Sequence, residues 1–154
     1  MDDVVIKETK QFIVVKLGNE QYGIDIQYVD NIVRMLKITR VPKAQDFFKG
    51  VINLRGEIIP VMSLRLKFDL EDQEFTPKTR ILILKIEPQA AVGIIVDEVR
   101  EVVTLETDTI EKPQHDGGDE KAAFLAGIGK HNDSLISILN VQSIIVEKDK
   151  EKEA

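Results

Sequence analysis

The chain has 154 residues, 43% of them hydrophobic and 31% charged, about one domain's worth of soluble globular protein, with enough apolar side chains for a core that needs neither metal nor disulfide. It has no cysteine and two histidines, which excludes disulfide frameworks, thiolate metal sites and thiol nucleophiles and leaves few candidates for a histidine-based triad. The excess of 27 Asp and Glu over 21 Lys and Arg, a net charge of -6, argues against a broad basic face for nucleic acid.

The opening Met1-Asp2-Asp3-Val4-Val5-Ile6-Lys7 is acidic first and only briefly apolar, unlike a secretory signal, and the apolar runs are too short to cross a bilayer. A cytoplasmic location is the expectation. Val and Ile number 36, and β-branched side chains suit pleated, half-buried surfaces, so the chain reads as mainly β. The first strand run is Gln11–Leu17, ended by Gly18-Asn19-Glu20. Ile26, Val29, Ile32, Val33 and Leu36 recur at three- and four-residue spacing behind a possible Asp25 cap, which predicts an amphipathic helix over about 26–36. Two strands then flank Arg55-Gly56, while Leu64, Leu66, Phe68 and Leu70 fit either a strand or a helical turn. Residues 71–79 read as a surface connection. Further strand runs are Arg80–Ile86, Val92–Val96, Leu125–Gly129 and Leu135–Leu139, and Asn140 is placed to cap a short helix over about 140–148. The charged residues 147–154 read as a solvated tail.

Several consecutive runs are separated by only three to five residues, too few for a helical crossover, so neighbouring strands should be antiparallel hairpins in small barrels or a sandwich. The strand clusters divide into a first half of roughly 12–70 and a second of roughly 80–146, each marginal as an isolated core, so the two should share one hydrophobic interface. Residues 30–67 carry eight basic and three acidic side chains, and residues 97–120 carry nine acidic and two basic, a pattern of two differently charged surfaces or of ordinary solvated loops.

The residues offer little chemistry. His115-Asp116-Gly117-Gly118-Asp119-Glu120 reads as a flexible loop and lacks the alternating acids of a calcium loop. Asp97-Glu98 reads as solvated surface, and no phosphate loop or nucleophile elbow is present. Gly127-Ile128-Gly129, inside a strand, marks close backbone approach. No enzymatic activity, cofactor or metal is expected. The segment Gly50–Val61 stands out: Gly56 supplies the positive φ of a tight turn and Arg55 projects from its apex. Asn53 is polar among apolar neighbours, and Pro60 places its strand on an edge or at a bulge. Arg55 is either an ordinary turn arginine or a rigidly presented guanidinium suited to a partner's carboxylate or carbonyl.

This segment, followed by Met62-Ser63-Leu64-Arg65, resembles the signature of the CheW-type chemotaxis coupling proteins. The resemblance extends through Tyr22-Gly23-Ile24-Asp25-Ile26 with its following helix, Ile38-Thr39-Arg40-Val41-Pro42, Val92–Val99 and Leu125–Gly129. It implies two SH3-like five-stranded β-barrel subdomains sharing a core, in a non-catalytic adaptor. The same fold also occurs as the regulatory domain of the kinase and in adaptor–receiver fusions, and a free-standing adaptor is the expectation. It implies binding to the cytoplasmic tips of chemoreceptors in a groove between subdomains, and to the regulatory domain of the chemotaxis histidine kinase through barrel ends. Val29, Gly50 and Arg55 carry over as receptor contacts, with Asn53 and Leu54 shaping the loop. Asn31 stands where many members have a glutamate able to pair with the motif arginine, so an Asn31–Arg55 contact would be a neutral hydrogen bond. Ile38, Arg40, Val41 and Phe48 form the expected kinase-facing patch. The competing reading is a β-barrel module serving another kinase pathway or an unrelated acidic partner.

Overall fold

A computed structural model describes residues 7–87, 90–112 and 123–145. The His115 loop and the tail after Ile145 lie outside the described residues. In chain order the strands are β1 (Thr9–Leu17), β2 (Glu20–Asp25), β3 (Val29–Arg34), β4 (Phe48–Leu54), β5 (Glu57–Ser63), β6 (Arg80–Glu87), β7 (Ala90–Val96), β8 (Glu98–Glu106), β9 (Leu125–His131) and β10 (Ser134–Leu139). Two short helices follow β5 and β10: α1 (Leu64–Lys67) and α2 (Val141–Ile145). Ser63 caps α1 through its side chain, which accepts from the Leu66 N–H, and the Asn140 side chain accepts from the Ser143 N–H at 3.2 Å, as its sequence position predicts. The ambiguous 64–70 segment is thus resolved as a helical turn.

The strands form two five-stranded sheets, in the orders β8-β1-β2-β10-β9 and β3-β6-β7-β5-β4. The hairpins β1–β2, β4–β5, β6–β7 and β9–β10 are antiparallel as expected, and each sheet also contains one parallel pair, β2 with β10 and β5 with β7. The chain beyond each outer strand reaches round to the opposite end strand: Thr39 bridges Val51 of β4, and Glu111 bridges Ile128 of β9. Each sheet is therefore curled, without a closed ladder.

The sheets do not coincide with the expected sequential halves. Residues 71–79 do separate two strand sets of matching order, but the sets exchange strands. The first sheet joins β1 and β2 to β8, β9 and β10, and the second joins β3, β4 and β5 to β6 and β7. The helix expected over 26–36 is also corrected. Asp25 caps only a 3-10 turn, Ile26–Tyr28, and the chain then runs as β3 along β6. In β3, Val29, Asn31 and Val33 are half-buried while Asp30, Ile32 and Arg34 are exposed, which is a period of two. Exposed Ile32 and Leu36 are what made the apolar spacing look helical.

Pro60 lies in an interior strand, not on an edge. It is tolerated because its register partner Val51 spends both its N–H and its C=O on Thr39, and pairing of β5 with β7 begins only at Val61.

Three apolar clusters hold the fold. Phe12, Val14, Val103, Leu105, Ile136 and Ile138 fill the concave side of the first sheet. Ile52, Ile59, Val61, Ile81, Ile83 and Ile95 fill the second. The largest cluster lies between the sheets and takes Ile13, Val15 and Leu17 from β1 and Leu82 and Leu84 from β6. Consecutive residues of β1 and β6 thus face different cores, which explains their unbroken apolar runs. Because the third cluster belongs to both sheets, Leu82→Ala should cost about 2–5 kcal/mol and leave one cooperative urea transition by circular dichroism and tyrosine fluorescence. Two separated transitions would show that the sheets fold independently.

Candidate functional site

The β4–β5 hairpin is closed by the Leu54–Glu57 pair, with Arg55 and Gly56 at φ of 53° and 87°. Positive φ at both central residues is the type I′ geometry whose twist matches paired strands. The Asn53 Oδ1 accepts from the Gly56 N–H at 2.9 Å, bracing the turn from within. Asn53, Arg55, Gly56, Glu57 and Ile58 are exposed, and Leu54 is half-buried against the second sheet's core. Among the described residues no hydrogen bond or ion pair engages the Arg55 guanidinium, so a rigid turn holds a free planar donor out to solvent.

Gly50 is buried, with φ of 141°, and a Cβ there would lie 2.1 Å from the Thr39 carbonyl oxygen. Only glycine permits the Thr39–Val51 bridge that fastens the 38–47 segment to the hairpin. Gly127 does the same in the first sheet beside Glu111 and Ile128, which meets the close-approach expectation for that motif.

Behind the hairpin, Arg65 of α1 reaches Asp97 between β7 and β8. Its Nε donates to Oδ1 and its Nη2 to Oδ2, each at 2.7 Å, and its Nη1 donates to the Glu71 carbonyl. The Gly18 N–H, in the β1–β2 turn, donates to the same carboxylate at 2.8 Å. One carboxylate so ties α1 to the first sheet's opening turn. Asp97 is therefore not the solvated surface acid its sequence context suggested. Burial alone would raise its pKa, but the hydrogen bonds from Arg65 and Gly18 and the Arg65 charge outweigh burial and hold it below the ordinary 3.8.

A family model, the CheW-like domain, matches residues 11–149. The chain belongs to the CheW-like domain family. It is 36% identical over 140 residues to the chemotaxis protein CheW of Helicobacter pylori, covering 90% of this chain and 83% of that one. Identity to the Bacillus subtilis chemotaxis protein CheW is 33% over 140 residues, covering 91% and 89%. Among solved structures, that of the scaffolding protein TtCheW from Thermoanaerobacter tengcongensis superposes with a TM-score of 0.84 at 35% identity, covering 94% of this chain and 97% of that one.

Within this CheW-like chain the expected receptor residues fall into two groups. Asn53, Leu54 and Arg55 share the hairpin, whereas Val29 is half-buried against the shared core and Gly50 is enclosed. The Asn31 Oδ1 accepts from its neighbour's N–H, at Ile32, 2.9 Å away, and no Asn31–Arg55 hydrogen bond is present among the described residues. The contact considered on family grounds is thus replaced by a local one at the strand edge. Of the kinase-facing candidates, Arg40, Val41 and Phe48 line one concavity of about 390 Å³ together with Lys43 and Lys49. Ile38 instead packs against the second sheet's core. Sequence reasoning missed the Arg65–Asp97 pair. Its only local signal is that Asp97 directly ends an apolar strand, and that names no partner.

Two outcomes follow from this geometry. Gly50→Ala should lower stability by about 3 kcal/mol or more in urea denaturation, since the added methyl meets backbone and the φ is strained. Asp97 has a depressed folded-state pKa, so its pair with Arg65 contributes fully above about pH 4 and is lost as pH falls through the lowered value. Asp97→Asn should therefore be less stable at neutral pH and show a flatter stability–pH curve below about pH 4. An unchanged acid limb would mean the pair is not the titrating contact.

Proposed function

We propose that this chain is a non-catalytic adaptor that couples the cytoplasmic tips of chemoreceptors to the chemotaxis histidine kinase. Its relatives at 33–36% identity are named chemotaxis proteins, and the matched structure is named a scaffolding protein. The observation that carries the reading is an exposed arginine, free of partners among the described residues, fixed in a type I′ turn of a chain whose family match runs from residue 11 to 149. The turn fixes the backbone at Arg55, so a carboxylate or backbone carbonyl of a helical tip has only the arginine side chain left to order.

In this reading Arg55 is the receptor anchor, with Asn53 and Leu54 holding its loop and Val29, Asn31 and Gly50 as the supporting positions of the groove. The concavity of Arg40, Val41 and Phe48 faces the regulatory domain of the kinase. Arg40 and Lys43 outweigh Asp46 there, while Lys49 is paired with Asp72, and the remaining positive charge favours an acidic counterpart. Ile38 supports that surface from beneath. Among the described residues no helix is long and apolar enough to cross a membrane. The adaptor works in the cytoplasm, recruited to membrane-associated receptor arrays, where several moderate contacts add by multivalency.

The test is kinase autophosphorylation reconstituted with receptor fragments, comparing wild type with Arg55→Ala. Wild type should couple, and the variant should lose at least about tenfold in receptor affinity with an unchanged circular dichroism spectrum. A folded variant that couples as well as wild type would remove Arg55 from the contact. Failure of the wild type to bind either partner would leave the fold right and the adaptor role wrong.

A further inference from the structure

The two sheets carry hairpins at corresponding places, and their turns share a backbone conformation. Arg55 and Gly56 have φ of 53° and 87°, and Asn132 and Asp133 in the β9–β10 turn have φ of 50° and 65°. Leu54–Glu57 closes one turn and His131–Ser134 the other. Each turn is followed at the same step by a strongly exposed apolar side chain, Ile58 or Leu135.

Asparagine and aspartate enter the left-handed region readily, whereas an arginine does so at a cost. The β9–β10 turn therefore shows which residues this geometry accepts for folding alone. Arg55 occupies the position where that turn has asparagine, so turn formation does not explain the arginine. The first turn also has a side-chain acceptor on the N–H of its second central residue, which the second turn lacks among the described residues. There the side chains of His131 and Asn132 hydrogen-bond to each other instead. Asn53, paired with Ile58, accepts the Gly56 N–H. Its counterpart Lys130, paired with Leu135, has no acceptor to offer.

We infer that Asn53 is a positioning residue that acts through Arg55, its hydrogen bond offsetting the left-handed strain and fixing the direction in which the guanidinium leaves the turn. This rests on the reading of Arg55 as the receptor anchor. The turn geometry at residue 55 is then part of the site, maintained at some expense to stability.

The experiment uses the full chain, urea denaturation, amide exchange by NMR, and binding to a chemoreceptor cytoplasmic fragment. Arg55→Asn should shift the unfolding midpoint upward while losing binding. Asn53→Ala should keep the circular dichroism spectrum, speed exchange of the Gly56 amide and weaken binding by about fivefold. Asn53→Asp, which keeps the acceptor, should restore both. In an Arg55→Ala background, Asn53→Ala should cause no further loss of binding. An equal further loss there would overturn positioning, because Asn53 would then touch the partner or act through the whole fold. Unchanged Gly56 exchange in Asn53→Ala, or a lowered midpoint in Arg55→Asn, would also overturn it. If Arg55→Ala binds like wild type, the receptor reading fails, and the exchange and midpoint measurements still decide whether Asn53 braces a strained turn.

Discussion

Burial of β1 and β6 on both faces is the constraint from which the other features follow. Each strand gives alternate residues to the concave core of its own sheet and to the layer between the sheets. Phe12 and Val14 point one way while Ile13, Val15 and Leu17 point the other, and Ile81 and Ile83 are similarly opposed to Leu82 and Leu84. A sheet of five short strands encloses too little apolar area to be secure alone, and the shared layer supplies what each lacks. The aromatic contact of Tyr22 with Phe68, and the stacking of Phe68 on Phe124, lie in that layer and join β2, the end of α1 and the chain entering β9.

Strand exchange makes the dependence mutual. Each sheet takes two strands from one stretch of chain and three from the other, so neither is complete without the whole polypeptide. The Arg65–Asp97–Gly18 contact fastens this arrangement at its edge, where bidentate geometry gives direction as well as energy. It also fixes α1 and hence the base of the β4–β5 hairpin. Arg55 thus stands on a strand pair anchored at Val51, at Ser63 and through Leu54, with its backbone entropy already spent in folding.

Much of this was legible in the residues. The β class, the hairpins, the cap at Asn140 and the apex position of Arg55 follow from local rules that the structure satisfies without tertiary help. The helix expected over 26–36 shows where such rules fail. Its β-branched residues fit two periods, and the open edge of β6 decided between them by offering hydrogen-bond partners. The edge placement of Pro60 failed similarly: its strand is interior, and Pro60 sits one pair from the register shift between Phe48 and Gly50, tolerated by where Val51 directs its own hydrogen bonds. Asp97 looked like surface because the arginine that claims it lies 32 residues earlier.

By itself, then, the sequence determined the mainly β class, most of the strands, the tight turn that presents Arg55 and, through its signature, the family. Those depend on interactions between residues a few positions apart, where chain geometry leaves few choices. The tertiary structure alone decided which strands share a sheet, that two pairs run parallel, that 29–34 is a strand along β6, and that Asp97 is claimed by Arg65. Such choices turn on competition between distant partners for the same hydrogen-bonding edges and the same apolar faces, and only the folded arrangement brings those competitors together.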